Sequence, residues 1–200
     1  GLSGSMQVGA IASLALDESV AMRIRFESSP PPQRDLYFRG PVLSTFNGRE
    51  WVSPRADFFG PRNTAASLRV SGAPINYEVT LEPTRRPWLL TLDALAQPPV
   101  LPGYETEMQT DLQWLTNRPI NDMLRYKGQS FPNFSHGPTR DDVALREFVQ
   151  LPPNFNPRTL ALAADMRRDP RYADASNARL VQVVMDRLRS GGFTYTLEPG

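Results

Sequence analysis

The sequence predicts an α+β fold, in which a mainly antiparallel, sandwich-like or barrel-like β domain is followed by two helices. Short apolar runs alternate with polar residues at a period of two in the first three quarters of the chain, which is typical of strands. The 20 prolines among the 200 residues interrupt mainly this region and exclude long helices from it. After residue 150 the apolar period becomes helical. We therefore predict a β-rich domain over 1–150 and a helical part over 151–200.

Strict alternation identifies the clearest strands. Val20, Met22, Ile24 and Phe26 alternate with Ala21 and two arginines, which predicts one buried face. The same pattern predicts strands over 77–81 and 108–114. Shorter apolar runs predict strands over 36–39, 67–70, 88–92 and 123–127, a helical turn or extended lead-in over 7–16, and a loop over 53–67.

Asn47-Gly48 lies between apolar flanks and is the strongest turn signal in the chain. Both residue types tolerate the positive φ that a tight hairpin turn needs. We therefore predict a hairpin over 42–52, in which Trp51 folds back onto the core.

Two helices are predicted in the last quarter. Asn156 at an N-cap and Pro157 at the first helical position predict a helix over 157–168. A second helix is predicted from Asp174 or Ser176 to Arg189, before Gly191-Gly192. Its apolar stripe consists of Val181, Val184, Met185 and Leu188. A further strand is predicted over 193–197.

Composition excludes several classes of function. The chain has no cysteine, so its own residues cannot form a disulfide, a thiolate nucleophile or a Cys-ligated metal site. The 22 basic and 21 acidic residues nearly balance, and the arginines are scattered, so no nucleic-acid partner is predicted. No apolar run approaches the ~20 residues of a membrane-spanning helix, and the first residues do not resemble a signal peptide.

The residues that could carry chemistry are better explained as structural. The acids, including Asp141-Asp142, lie in polar segments that nothing in the sequence brings together, and His136 lies in a loop. Gly191-Gly192 follows a helix and is a C-cap, not a phosphate loop. The remaining candidates are the acids Glu105, Glu107 and Asp111, the aromatics Trp51, Trp88, Trp114, Tyr37, Phe38 and Tyr77, which we assign to the core, and Arg167, Arg168 and Arg171, which we assign to a solvated helix end. No catalytic, cofactor-binding or metal-binding residue is predicted.

Five stretches in the same order resemble the extracytoplasmic region of bacterial membrane-anchored transglutaminase-like proteins. They lie at 13–26 (SLALDESVAMRIRF), 36–51 (including LYFRGPVL and FNGREW), 77–84 (YEVTLEPT), 151–159 (LPPNFNPRT) and 193–197 (FTYTL). The resemblance implies the periplasmic region of an inner-membrane protein. In such proteins a β-rich module precedes a papain-like core, in which a cysteine, a histidine and an aspartate catalyse acyl transfer. None of these three is matched here, so no catalytic residue is carried over.

The resemblance leads to a leading hypothesis and an alternative. In the first, the chain is a non-catalytic module that supports or positions a catalytic core, and its partner is the rest of its own protein. Leu160, Val181, Val184 and Leu188 would then lie on a surface that the longer protein buries. In the alternative, the chain is an independent envelope module that binds a peptide, peptidoglycan or a protein. A third class, a self-sufficient hydrolase, would need a carboxylate site that the sequence does not locate.

Overall fold

The computed structural model describes residues 3–7, 19–53, 67–138 and 143–194. These parts contain short strands joined by turns, then two α-helices, which confirms the predicted α+β class with mainly antiparallel pairing. The strands are β1 (Ser5–Gln7), β2 (Met22–Phe26), β3 (Phe38–Arg39), β4 (Thr45–Phe46), β5 (Glu50–Val52), β6 (Arg69–Ser71), β7 (Ile75–Leu81), β8 (Trp88–Leu89), β9 (Thr91–Leu92), β10 (Thr106–Met108), β11 (Trp114–Thr116), β12 (Leu124–Ser130) and β13 (Asn133–Ser135). The helices are α1 (Pro157–Arg168) and α2 (Asn177–Ser190).

The longest strands form one antiparallel sheet in the order β12-β7-β2. Tyr77 and Val79 of β7 are buried, and their neighbours alternate to the more exposed face. Gly128 of β12 lies opposite Tyr77, and a β-carbon at Gly128 would come within 2.4 Å of the tyrosine ring. Glycine at this position therefore lets a large ring lie flat across the neighbouring strand.

A second sheet, in the order β10-β11-β8, and the pair β3-β9 complete the core. Buried hydroxyl groups connect the segments of this core. The Tyr77 hydroxyl accepts from the backbone N–H of Leu92 at 3.0 Å and lies 3.0 Å from Ser130 Oγ, which itself donates to the Leu92 carbonyl at 2.7 Å. The Tyr126 hydroxyl donates to the Leu90 carbonyl. These bonds satisfy polar groups that would be costly to bury alone.

The predicted hairpin is present, but Trp51 does not reach the core. Asn47 Oδ1 accepts from the backbone N–H groups of Arg49 and Glu50 at 3.0 and 2.9 Å, and Gly48 has a φ of 102°. Trp51 stays 38% exposed and stacks on Phe46 with ring centroids 5.0 Å apart. This hairpin pairs only with the short β1 among the described strands, and Trp51 lies on an exposed side of this small sheet.

The single strand predicted over 108–114 is also wrong. The chain reverses there, so that β10 and β11 pair antiparallel with Met108 opposite Trp114. Asp111 Oδ1 accepts from the Gln113 N–H at 3.1 Å, and Leu112 adopts a φ of 67°. An aspartate in a turn thus overrides the apolar alternation. The run 88–92 likewise divides into β8 and β9.

The helix predictions are confirmed at both helices. Ser176 Oγ caps α2 by accepting from the Arg179 N–H at 3.2 Å, and Gly191 ends it. Asn156 occupies the N-cap position of α1, but its φ is 52° and its side chain makes no capping bond, so that part of the prediction is wrong. Most of the predicted lead-in, most of the predicted loop, the end of the last predicted strand and Asp141-Asp142 lie outside the described residues.

Candidate docking surface on the helices

The buried apolar side chains are confined to one part of the described chain. Every buried hydrophobic side chain among the described residues lies between Tyr77 and Tyr126. From 143 to 194, no residue whose burial is described is buried. The last quarter of the described chain therefore has an apolar pattern without a core of its own.

The predicted stripe of α2 faces solvent. Val181, Val184, Met185 and Leu188 are 62%, 36%, 40% and 49% exposed. Residues at this spacing share one face of a helix, so the four side chains form a continuous apolar surface. Leu160 and Leu162 of α1 are exposed as well. We call these six residues the helical face.

A groove of about 380 Å³ lies between the two helices. Ala163 and Met166 of α1 line one side, and Leu180 together with residues of the helical face lines the other. At its rim, the Arg167 side chain donates to Asn177 Oδ1 at 2.7 Å. This polar contact helps to hold α1 beside α2, while the floor of the groove stays apolar and open.

The segment before the helices has further exposed apolar side chains. A 3₁₀ helix spans Val143–Val149 and presents Phe148 at 48% exposure. Phe155 then lies against the β4–β5 turn, because a β-carbon at Gly48 would come within 2.3 Å of its ring. One aromatic contact thus joins the approach to α1 to the hairpin.

Arg168 and Arg171, predicted to lie on a solvated helix end, pair with nearby acids. Arg168 binds Asp165 at 2.5 Å, and Arg171 binds Asp169 at 2.6 Å. Hydrogen bonds from Arg171 lower the pKa of the Asp169 carboxyl below its ordinary value. These pairs are solvated and local. Arg168 ends α1 as predicted, whereas Arg171 lies in the 3₁₀ helix Pro170–Tyr172 that follows it.

Of the candidate acids, Asp111 lies in the turn between β10 and β11. Asp111 accepts from both the backbone and the side-chain amide of Gln113. Burial raises the pKa of the Asp111 carboxyl, and these bonds oppose the rise. Glu105 is exposed. The described residues contain no cluster of three or more acids and histidines that could hold a metal ion.

His136 is exposed and stacks on Phe134, with ring centroids 6.3 Å apart. Among the aromatic candidates, the core assignment is correct for Tyr77, Trp88 and Trp114, which are buried. It is wrong for Tyr37 and Trp51, which stay 60% and 38% exposed. Phe38 is partly buried against the core. No shared aromatic platform results, because Tyr77, Trp88 and Trp114 have little surface left for a ligand.

The fold and the helical face define a class of protein in which a mainly antiparallel β domain is followed by helices whose apolar side is uncovered. The TgpA N-terminal domain family matches residues 1–135, and the chain belongs to this family. A protein-glutamine γ-glutamyltransferase of Pseudomonas aeruginosa is 31% identical over 199 residues, which are 100% of this chain and 28% of that protein. The chain thus spans less than a third of this curated relative.

Two crystal structures of the periplasmic domain of TgpA from Pseudomonas aeruginosa are similar to the whole chain. The structure bound to ethylmercury has a TM-score of 0.84 and 31% identity, and the chain covers 67% of it. The other has a TM-score of 0.82 and 29% identity, with 66% covered. These findings confirm the resemblance and the predicted location in the periplasmic region of a bacterial inner-membrane protein. No helix in the described parts is long and apolar enough to cross a membrane.

Proposed function

We propose that this chain is a non-catalytic periplasmic module that packs its helical face against the catalytic core of a transglutaminase-like protein and supports or positions that core. The observation that carries the proposal is that no residue of described burial from 143 to 194 is fully buried, although α2 has a continuous apolar stripe. Exposed apolar surface of this extent is typical of an interface. On this proposal the helical part over 151–200 is the start of the core.

The lengths of the relatives support this choice of partner. The chain covers 67% of the first periplasmic domain, so about a third of that domain has no counterpart in this chain. This chain has no cysteine, so a thiolate nucleophile in such a parent would come from residues outside this sequence. The partner that we propose for the helical face is therefore the part of the periplasmic domain that has no counterpart in this chain.

The energy available from docking is substantial. The six side chains of the helical face are between 36% and 62% exposed. Full burial of such a side chain contributes roughly 1.5–3 kcal/mol, so covering the exposed part of all six contributes about 4–8 kcal/mol. This is comparable to the whole stability of a small domain, about 5–15 kcal/mol.

Hydrogen exchange tests the proposal. The amides of α1 and α2 are compared between this chain and a chain extended to the length of the relatives' periplasmic domain. We expect slower exchange throughout both helices in the extended chain, because docking removes their independent opening. The amides of β7 serve as the internal control and should not change. Equal helix exchange in the two chains would contradict docking on this face.

A second candidate function is an independent envelope module that binds a peptide or a protein partner. A groove along the edge of β12 favours it over peptidoglycan binding, because the groove presents strand backbone and charged side chains instead of an aromatic platform. The groove lies in the β domain, so the two candidate functions use different surfaces.

A further inference from the structure

The described structure contains a groove of about 580 Å³ beside the sheet β12-β7-β2. One wall is β12, with Arg125, Lys127 and Gln129, and Asn76, Glu78 and Glu27 continue this side of the groove toward β7 and β2. The opposite wall is the segment 95–100, which we call the proline strap because it contains Pro98-Pro99. The groove therefore separates a strand from a segment of chain that runs past it without closing on it.

The proline strap begins as an antiparallel neighbour of β12 and then stops pairing. Leu95 forms a bridge to Ser130, and the Phe131 N–H donates to the Ala94 carbonyl at 3.3 Å. If the pairing continued in the same register, Pro98 would lie opposite Lys127. The backbone nitrogen of Pro98 would then have to donate a hydrogen bond to the Lys127 carbonyl. Proline has no N–H, so pairing cannot continue there. The groove is the space left by this interruption.

The outer edge of β12 points its hydrogen-bonding groups into this space. The Glu27 N–H donates to Asn76 O at 3.0 Å, and the Glu82 N–H donates to Ala21 O at 3.1 Å, so the even-numbered residues of β7 bond to β2. The odd-numbered residues of β7 then bond to their partners on β12. These partners are the even-numbered residues of β12. Arg125 and Lys127 alternate with them, so the backbone N–H and C=O groups of Arg125 and Lys127 face away from β7. No other described segment pairs with these groups.

The charged side chains that β12 itself brings to the groove, Arg125 and Lys127, are both positive, while Glu27 and Glu78 line the groove on the side toward β7 and β2. Glu78 lies opposite Lys127 in the register, but it binds Arg25 at 3.5 Å on the other side. Neither Arg125 nor Lys127 has an acidic group within ion-pair distance in the described structure. Both side chains are exposed on the polar face of the sheet. Lys127 is the single lysine in a basic set that is otherwise arginine.

We propose that this groove binds an extended acidic peptide, which adds to β12 as an antiparallel strand at Arg125 and Lys127. Strands lie about 4.8 Å apart with a rise of about 3.3 Å and a layer thickness of about 10 Å, so each strand residue fills about 160 Å³. The groove volume of about 580 Å³ therefore accommodates three to four residues. The peptide backbone replaces the hydrogen bonds that Pro98 cannot make, and its acidic side chains pair with the two free cations.

This inference is independent of the docking proposal, because the groove lies in the β domain and uses no residue of the helical face. To test it, the full chain is titrated with a capped five-residue peptide of alternating valine and glutamate. Binding is measured by the NMR shifts of the backbone amides and by their hydrogen exchange. We expect saturable shifts centred on Arg125 and Lys127, and exchange of these two amides slowed by at least about tenfold at saturation. The amides of the helical face should not change.

Control peptides separate strand addition from simple charge attraction. The same peptide N-methylated at every residue keeps its carboxylates but has no donor, and it should not bind measurably. A peptide with lysine in place of glutamate should bind at least about tenfold more weakly. Equal binding of either control, or shifts without slowed exchange at Arg125 and Lys127, would overturn the proposal.

Charge-reversal variants give a second readout. Arg125→Glu and Lys127→Glu should each weaken the acidic peptide about three- to fivefold, as expected for an exposed ion pair. Because both side chains are exposed, neither change should unfold the chain. Arg23→Glu, on the far strand of the same sheet face, is the matched control and should have a smaller effect. If all three variants weaken binding equally, the acidic peptide is not seated on the edge of β12.

Discussion

Introducing a carboxylate into the helical face tests docking most directly. Val181 is 62% exposed, so Val181→Asp should change the free energy of unfolding of this chain by no more than about 0.5 kcal/mol. Valine and aspartate also have similar helix propensities, so the helix itself does not favour either. In an extended chain whose core covers Val181, the same change places a carboxylate in an apolar contact.

The magnitude in the extended chain has two parts. In the extended chain the core would bury the 62% of Val181 that is exposed here, and aspartate loses this burial. Since full burial of a valine contributes roughly 1.5–3 kcal/mol, the loss costs about 1–2 kcal/mol. Keeping the carboxyl protonated at pH 7 costs at most about 4 kcal/mol, given an ordinary pKa near 3.9 and 1.36 kcal/mol for each unit. We therefore expect a loss of about 3–5 kcal/mol in the extended chain.

Urea denaturation of both chains, with and without the substitution, measures this difference. Val100→Asp is the control, since Val100 is 86% exposed in the β domain and undergoes the same chemical change. It should have little effect in either chain. Equal losses for Val181→Asp in the two chains would refute the reasoning, because the cost would then arise within α2 and not at a covered surface.

Three further predictions concern the β domain and its contact with the approach to α1. Gly128→Ala should destabilise the chain by at least about 2 kcal/mol in urea denaturation, because its β-carbon would come within 2.4 Å of the Tyr77 ring; retention of wild-type stability would show that the ring can move aside. Gly48→Ala should cost more than Gly137→Ala, since both have positive φ but only Gly48 meets a ring, that of Phe155; equal losses would mean that this contact is absent in solution. Burial raises the pKa of Tyr77 to about 12 from an ordinary value of 10, so its contribution to stability should be present below pH 10 and lost between pH 10 and 12. Tyr77→Phe should remove this part of the pH dependence in denaturation experiments, and an unchanged profile would assign it to another group.

The helices, the Asn47-Gly48 turn and the strands β7 and β12 could be predicted from the sequence because their signals are local. A helical stripe, a Ser176 cap and an Asn-Gly turn each depend on residues a few positions apart. The alternation over 77–81 correctly predicts a strand, because this central strand has one apolar and one polar face.

The misassigned residues depended on partners distant in sequence. Alternation over 108–114 could not show that an aspartate would reverse the chain within it. The exposure of Trp51 follows from the small sheet to which β5 belongs, and no local pattern specifies that sheet. The sequence does not reveal the groove, because the groove forms only where Pro98 lies opposite Lys127. That register is set by the bridge between Leu95 and Ser130, which are distant in sequence.

The sequence by itself determined the class of fold, the position of the helices, the apolar stripe on α2 and the lack of a thiol nucleophile among these 200 residues. Only the tertiary structure decided which apolar faces are covered. It buries the alternating strands between 77 and 126 and leaves the helical face in solvent. The physical reason is that periodicity states which residues share a face, whereas burial depends on whether another layer lies against that face.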